Sequence, residues 1–162
     1  MLTKKSDRIN GMKFNKTRVS FMLFIVVGVT LIVYLSTVNY KSRAIVGGKT
    51  FSIDVADTTF TMSKGLSGRK SISKDEGMVF VFEKLDKHGF WMKDMLFPID
   101  ILWMDENFKI VHIEKSVSPE TYPTIFSPDR LSLYVLEISA GQTDSLGVKV
   151  GDRVDFVYKN SI

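Results

Sequence analysis

Three carboxylates are the residues best suited to chemistry: Asp94 and Asp100 in the block GFWMKDMLFPIDILWMD, and Glu137 in LYVLEIS. Two carboxyl groups about 5 to 9.5 Å apart across a sugar can hydrolyse a glycosidic bond. Spacing along the chain does not bring them together, and a structural use competes. Asp100 follows Pro98 in an apolar stretch, where a buried carboxylate must be compensated by a cation such as Arg69 or by backbone amides. The structural use is the preferred expectation for these residues.

Other chemistries have weaker foundations. His88 and His112 form no motif with a nucleophile or with further metal ligands, so neither a Ser-His-Asp set nor a metal site is expected. Met78, Met92, Met95 and Met104 could suit copper(I), but without a clustered motif they read as core filler among Phe80, Phe82, Phe90 and Phe97. Cysteine is absent, which excludes disulfides, thiolate nucleophiles and Cys-based zinc. There is no glycine-rich phosphate loop, and no cofactor is expected. Trp91 and Trp103 could stack on a sugar or a peptide. Strand parity sets Trp91 opposite Phe90 and Met92, and Trp103 opposite Met104, so one of each pair should face outward.

The elements that must position these groups are mostly short strands. Alternation predicts a strand over TFSIDV, followed by a brief helix over TTFTMSK that Asp57 or Thr58 caps and Gly65 stops. GMVFVF, Phe90 to Lys93, Ile99 to Met104, KIVHIEKSV, LYVLEIS and GDRVDFVYK read as further strands. EKLDKHG reads as a turn, and AGQTDSLGV as a helical turn or two. Pro119, Pro123 and Pro128 make Ser118 to Ser132 an irregular excursion, either a functional loop or a simple crossover. Seven strands with two small helices predict an all-β domain, an antiparallel β-sandwich or a jelly-roll-like curved barrel.

Ahead of this domain, VSFMLFIVVGVTLIVYL from Val19 to Leu35 carries no charge. Continued through Val38, it reaches the roughly 20 residues that cross a bilayer. The expected organisation is a basic tail over 1–18, a transmembrane signal anchor in membrane lipid over 19–38, a tether over 39–48 and a β-rich domain over 49–162. The tail holds six basic residues against one acidic, whereas the rest of the chain holds sixteen against seventeen. The pI near 9.2 therefore belongs to the tail. That bias predicts a single-pass cell-membrane protein with its N-terminus cytoplasmic and its domain extracytoplasmic, and it argues against a nucleic-acid partner. A cleaved signal peptide is the competing reading, but the run is long for one and no A-x-A pattern follows it.

The ordered series GLSGRKSI, DEGMVFVF, GFWMKDMLFPIDILWMD, YVLEISAG and LGVKVGDRV resembles the family known as domain of unknown function 192. The resemblance spans Thr50 to Val157 and implies a compact β-rich domain with jelly-roll-like packing, in a family without a settled activity. Its recurrent residues fall on Gly65, Leu66, Arg69, Gly77, Met78, Phe80, Phe82, Phe90, Trp91, Met92, Lys93, Pro98, Asp100, Glu137, Gly141, Gly151 and Asp152. Asp94 and Met95 stand where the family commonly has Asn and Thr. The proline-rich loop lacks the Cys that many members carry.

The leading expectation is a module that binds a glycan, a peptide or an envelope protein through a groove around Arg69, Trp91, Lys93, Asp94, Asp100 and Glu137. A carboxylate-dependent hydrolase and an assembly protein without a small-molecule site are the alternatives. The topology has its own test: a tag after Ile162 should be labelled by a membrane-impermeant reagent in intact cells or after outer-envelope permeabilisation. Labelling only after lysis would place the domain in the cytoplasm.

Overall fold

Residues 24–31 and 42–157 are described by a computed structural model of the chain, which divides into two units, 1–39 and 40–162. In the first unit, residues 24–31 are helical and expose Phe24, Ile25 and Val26. No described helix is long and apolar enough to cross a membrane. The basic tail and the remainder of the run over 19–38 lie outside the described residues.

In the second unit, alternating and apolar segments form β1 (Ser42–Val46), β2 (Lys49–Ala56), β3 (Glu76–Asp86), β4 (Ile99–Met104), β5 (Ile110–Val117), β6 (Ser132–Ser139) and β7 (Asp155–Val157). Two short helices, α1 (Thr59–Lys64) and α2 (Gln142–Ser145), complete it with a 3₁₀ turn at Pro119–Thr121. Thr58 and Thr61 exchange side-chain and backbone hydrogen bonds at the start of α1, a capping box that satisfies otherwise orphaned amides. Gly65 ends the helix at φ 48, where a Cβ would be strained.

All seven strands of the described residues lie in one open mixed sheet, in the order β5-β4-β6-β3-β2-β1-β7. This corrects the expected antiparallel sandwich. β2 and β3 run parallel, because the connection through α1 is long enough for the crossover that parallel neighbours require. A second sheet is replaced by cover from the connections 57–75, 87–98 and 118–131. One core, with Phe51, Ile53, Leu102, Leu136 and Ile138, fills one side of the sheet; the other, with Leu66, Phe80, Met92, Ile101 and Trp103, lies beneath those connections. The sheet also curls, since Ile110 N–H donates to Asp152 O (2.8 Å) and Val154 N–H to Phe108 O (3.0 Å). These bonds join segments next to β5 and β7, the opposite edges.

Further differences follow from this architecture. Residues 42–48, within the stretch expected as a tether, form β1 and its turn into β2. β3 continues through Asp86, so EKLD is strand and not turn. Phe90 to Lys93 is no ladder strand; Phe90 alone bridges to Phe126. Trp103 and Met104 are both buried, as is every residue of β4, because both of its faces are covered. The methionines pack in the core, Met104 in one cluster and Met78, Met92 and Met95 in the other.

Asp100 holds the far end of the sheet together. Its carboxylate is fully buried and accepts from the amides of Ser116 (2.8 Å), Gly141 (3.1 Å) and Thr143 (2.8 Å) and from Thr143 Oγ1 (2.8 Å). It thereby joins β4 to β5 and to the start of α2. Asp100→Ala orphans these donors and should lower stability by about 3 kcal/mol or more, at a cost of about 1–3 kcal/mol for each buried group left unpaired. A urea titration checks this: the midpoint should fall with little change in slope.

Candidate functional site

Glu137 sits in β6, opposite Met78 of β3 and Ile101 of β4. Pairing places Asp54, Met78, Glu137, Ile101 and Glu114 in one cross-strand row on the side that the connections cover. Asp100 lies opposite Ile138, the next residue along β6, so the two acids point to opposite faces of the sheet. Their environments diverge accordingly. Asp100 has four donors, whereas Glu137 Oε2 has no hydrogen-bond partner among the described residues.

Only 5% of Glu137 is exposed. Burial raises its pKa from 4.5 to about 8, and the nearby Arg69 guanidinium only partly opposes this. The carboxyl is therefore mostly neutral at pH 7, because desolvation penalises its charged form. Arg69 pairs with Asp54 at 2.9 Å, not with Asp100 as one expectation had it.

Glu137 lines a cavity of about 400 Å³ between α1, the strands and the connection after β3; Met62, Phe80, Phe82, Phe90 and Met95 are among its walls. Lys64, Ser67, His88 and Trp91 also border it. An adjoining cavity of about 390 Å³ has Trp91, Lys93 and Asp94 on one side and Met62, Ser63 and Lys64 on the other. Trp91, 52% exposed, belongs to both.

Several contacts fix these walls. Trp103 Nε1 donates to His88 O at 2.8 Å, and Phe90 and Phe126 exchange two backbone hydrogen bonds of 2.8 Å. Ser67 Oγ donates to Lys93 O (2.8 Å) and Gly68 N–H to Asp94 O (2.9 Å), so the turn carrying Trp91 is tied to the loop leaving α1. Asp94 adopts φ 56, a left-handed conformation that Asp and Asn tolerate better than most residues. Phe80 and Phe90 meet edge to face at 4.8 Å, and Phe82 stacks on His88 at 3.5 Å.

Of the residues expected at the site, Glu137 and Trp91 share the first cavity, and Trp91, Lys93 and Asp94 share the second. Arg69 acts on Glu137 electrostatically, while Asp100 belongs to the structural clamp. The α1 wall of Met62, Ser63 and Lys64 was missed. No sequence signal marks it, because only the fold of α1 over β3 brings it there. Among the described residues, no three His, Cys, Asp or Glu side chains gather to hold a metal.

A curled mixed sheet, roofed by its own connections and holding a buried acid under ligand-sized cavities, defines a small β domain with a pocket in its cover. The chain belongs to the domain of unknown function 192 family (DUF192, Uncharacterized ACR), which it matches over residues 42–156. It is similar to a solved protein of unknown function from Novosphingobium aromaticivorans, at 29% identity and TM-score 0.66 over 71% of this chain and 83% of that one. A Sinorhizobium meliloti protein, described as "a putative transcription regulator", is also 29% identical, with TM-score 0.65 over 72% of this chain and 92% of that one. No curated protein sequence matches the chain.

The buried acid gives stability a definite pH dependence. The folded chain keeps a proton on Glu137 that the unfolded chain gives up near pH 4.5. Stability should therefore fall as pH rises from about 4.5 to 8 and level off above, a loss on the order of 5 kcal/mol at 1.36 kcal/mol per unit. Urea titrations across pH 5 to 8 should show this slope in the natural chain and its loss in Glu137→Gln.

Proposed function

We propose that this protein is a membrane-anchored, extracytoplasmic binding module whose site is the pair of cavities that meet at Trp91. Glu137 carries the proposal: a buried acid, one of whose oxygens has no hydrogen-bond partner among the described residues, lines a cavity of about 400 Å³. Small-ligand sites commonly occupy about 300–1,000 Å³, with apolar walls and a few polar groups. The apolar cavity suits a side chain, and the neighbouring one, with Lys93 and Asp94, suits the polar main chain beside it. A peptide, free or part of an envelope protein, therefore fits better than a glycan. The uncharged run from Val19 and the basic tail before it support the anchor.

The hydrolase reading has less support. Asp100 is engaged by four hydrogen bonds on the other face, and Asp94 borders the adjoining cavity rather than the one Glu137 lines.

Peptide and glycan arrays probed with the purified chain test the proposal. Peptide binding that Trp91→Ala weakens at least tenfold, without a change in unfolding midpoint, is the expected result; half of Trp91 is exposed and its loss opens no core cavity. Binding that ignores Trp91→Ala would remove the site from consideration.

A further inference from the structure

We propose that the cavity floored by Glu137 takes a primary alkylammonium group, such as a peptide lysine side chain, with Glu137 as counter-ion and the surrounding aromatic rings as walls. This rests on reading that cavity as a binding site and names what enters it.

The lining includes the Glu137 carboxylic acid, a residue 5% exposed, whose Oε2 lies beneath its neighbours and has no hydrogen-bond partner among the described residues. An ammonium supplies three donors and a charge. The walls include the rings of Phe80, Phe82, Phe90 and Trp91, and aromatic faces attract cations. Met62 and Met95 extend the apolar lining, which suits the methylene stem of an amine rather than a polyhydroxylated ligand. Of the cations near the acid, Arg69 is committed to Asp54 at 2.9 Å, whereas Lys64 borders the cavity itself.

Binding then moves one proton. Glu137 releases its proton to solvent as the ammonium, which keeps all of its own, becomes its partner. Other charged or titratable groups are near the acid: Lys64 of α1 and His88 after β3 border the same cavity, and Arg69 acts on it through space. Asp54 and Glu114 lie in its cross-strand row beyond Met78 and Ile101. A neutral hydroxyl or carbonyl ligand would favour the protonated acid, so its affinity would fall as pH rises. The two ligand classes have opposite signatures.

Calorimetry on the full chain in detergent distinguishes them, using n-butylammonium, Nα-acetyl-lysine N-methylamide and neutral n-butanol at pH 6, 7 and 8. Buffers of different ionisation enthalpy report the proton. Both ammonium probes should bind about tenfold more tightly per pH unit up to 8 and release about one proton at pH 6. Glu137→Gln should weaken them at least tenfold at pH 8. Should that variant fail to fold, proton release in the natural chain still decides the matter. Tighter binding of the lysine amide points to a peptide source, and tighter binding of butylammonium to a free amine. If n-butanol binds in a Trp91-dependent way and neither ammonium probe does, the ammonium assignment is overturned while the site stands. If no probe binds, both readings fall.

Discussion

A single sheet with two apolar faces must be covered twice, and that constraint organises the molecule. β4 has no exposed residue, so leaving either side open would expose a core strand to water. On one side the sheet's own curl supplies the cover, with Val148 and Val154 from the last segments. On the other, α1 and two long connections perform the task. Irregular chain needs anchoring points to lie over a core, and Trp103, Phe126, Ser67 and Gly68 provide them. Such a roof also tiles less completely than a second sheet would. The cavities beside Glu137 and Trp91 occur at the junction of its pieces.

Two carboxylates on adjacent strands show how environment assigns roles. Asp100 and Glu137 occupy neighbouring cross-strand rows, and both are buried. Four donors make one a structural anion. The other is held at a pKa of about 8 by desolvation, which costs stability near neutral pH. Acids with such shifts gather at working sites more often than chance would place them, and this one faces a space large enough to use it.

Much of this was legible in the sequence, and the omissions have physical causes. Alternation and apolar runs located β2 to β6 because each presents a regular face to a core. The caps of α1 announced themselves through Thr58 and Gly65. Alternation cannot disclose which neighbour a strand takes or in which direction, so the parallel β2–β3 pair and the single sheet were hidden. FWMK imitates a strand in its alternation, with Met92 buried and Trp91 exposed, but only Phe90 finds a bridge partner, and the chain turns at Lys93 and Asp94. β1 is short and was obscured by its polar surroundings. At the site, the distinctive block from Phe90 to Asp100 signalled Trp91, Lys93 and Asp94, but it also drew in Asp100, whose side chain serves the opposite face. Glu137 had a sign of its own, a lone acid within an apolar strand, although its isolation is visible only in three dimensions.

The seam between Phe108 to Ile110 and Gly151 to Val154 carries one more implication. Strand edges with free amides recruit other chains, and proteins blunt them with charges, bulges or closure. Here one end of the rim is stitched, and the remainder of β5 carries a half-buried Glu114 and an exposed Lys115 beside irregular register with β4. A protein built this way is defended against stacking into fibrils with its own copies, even though its sheet never closes into a full ring.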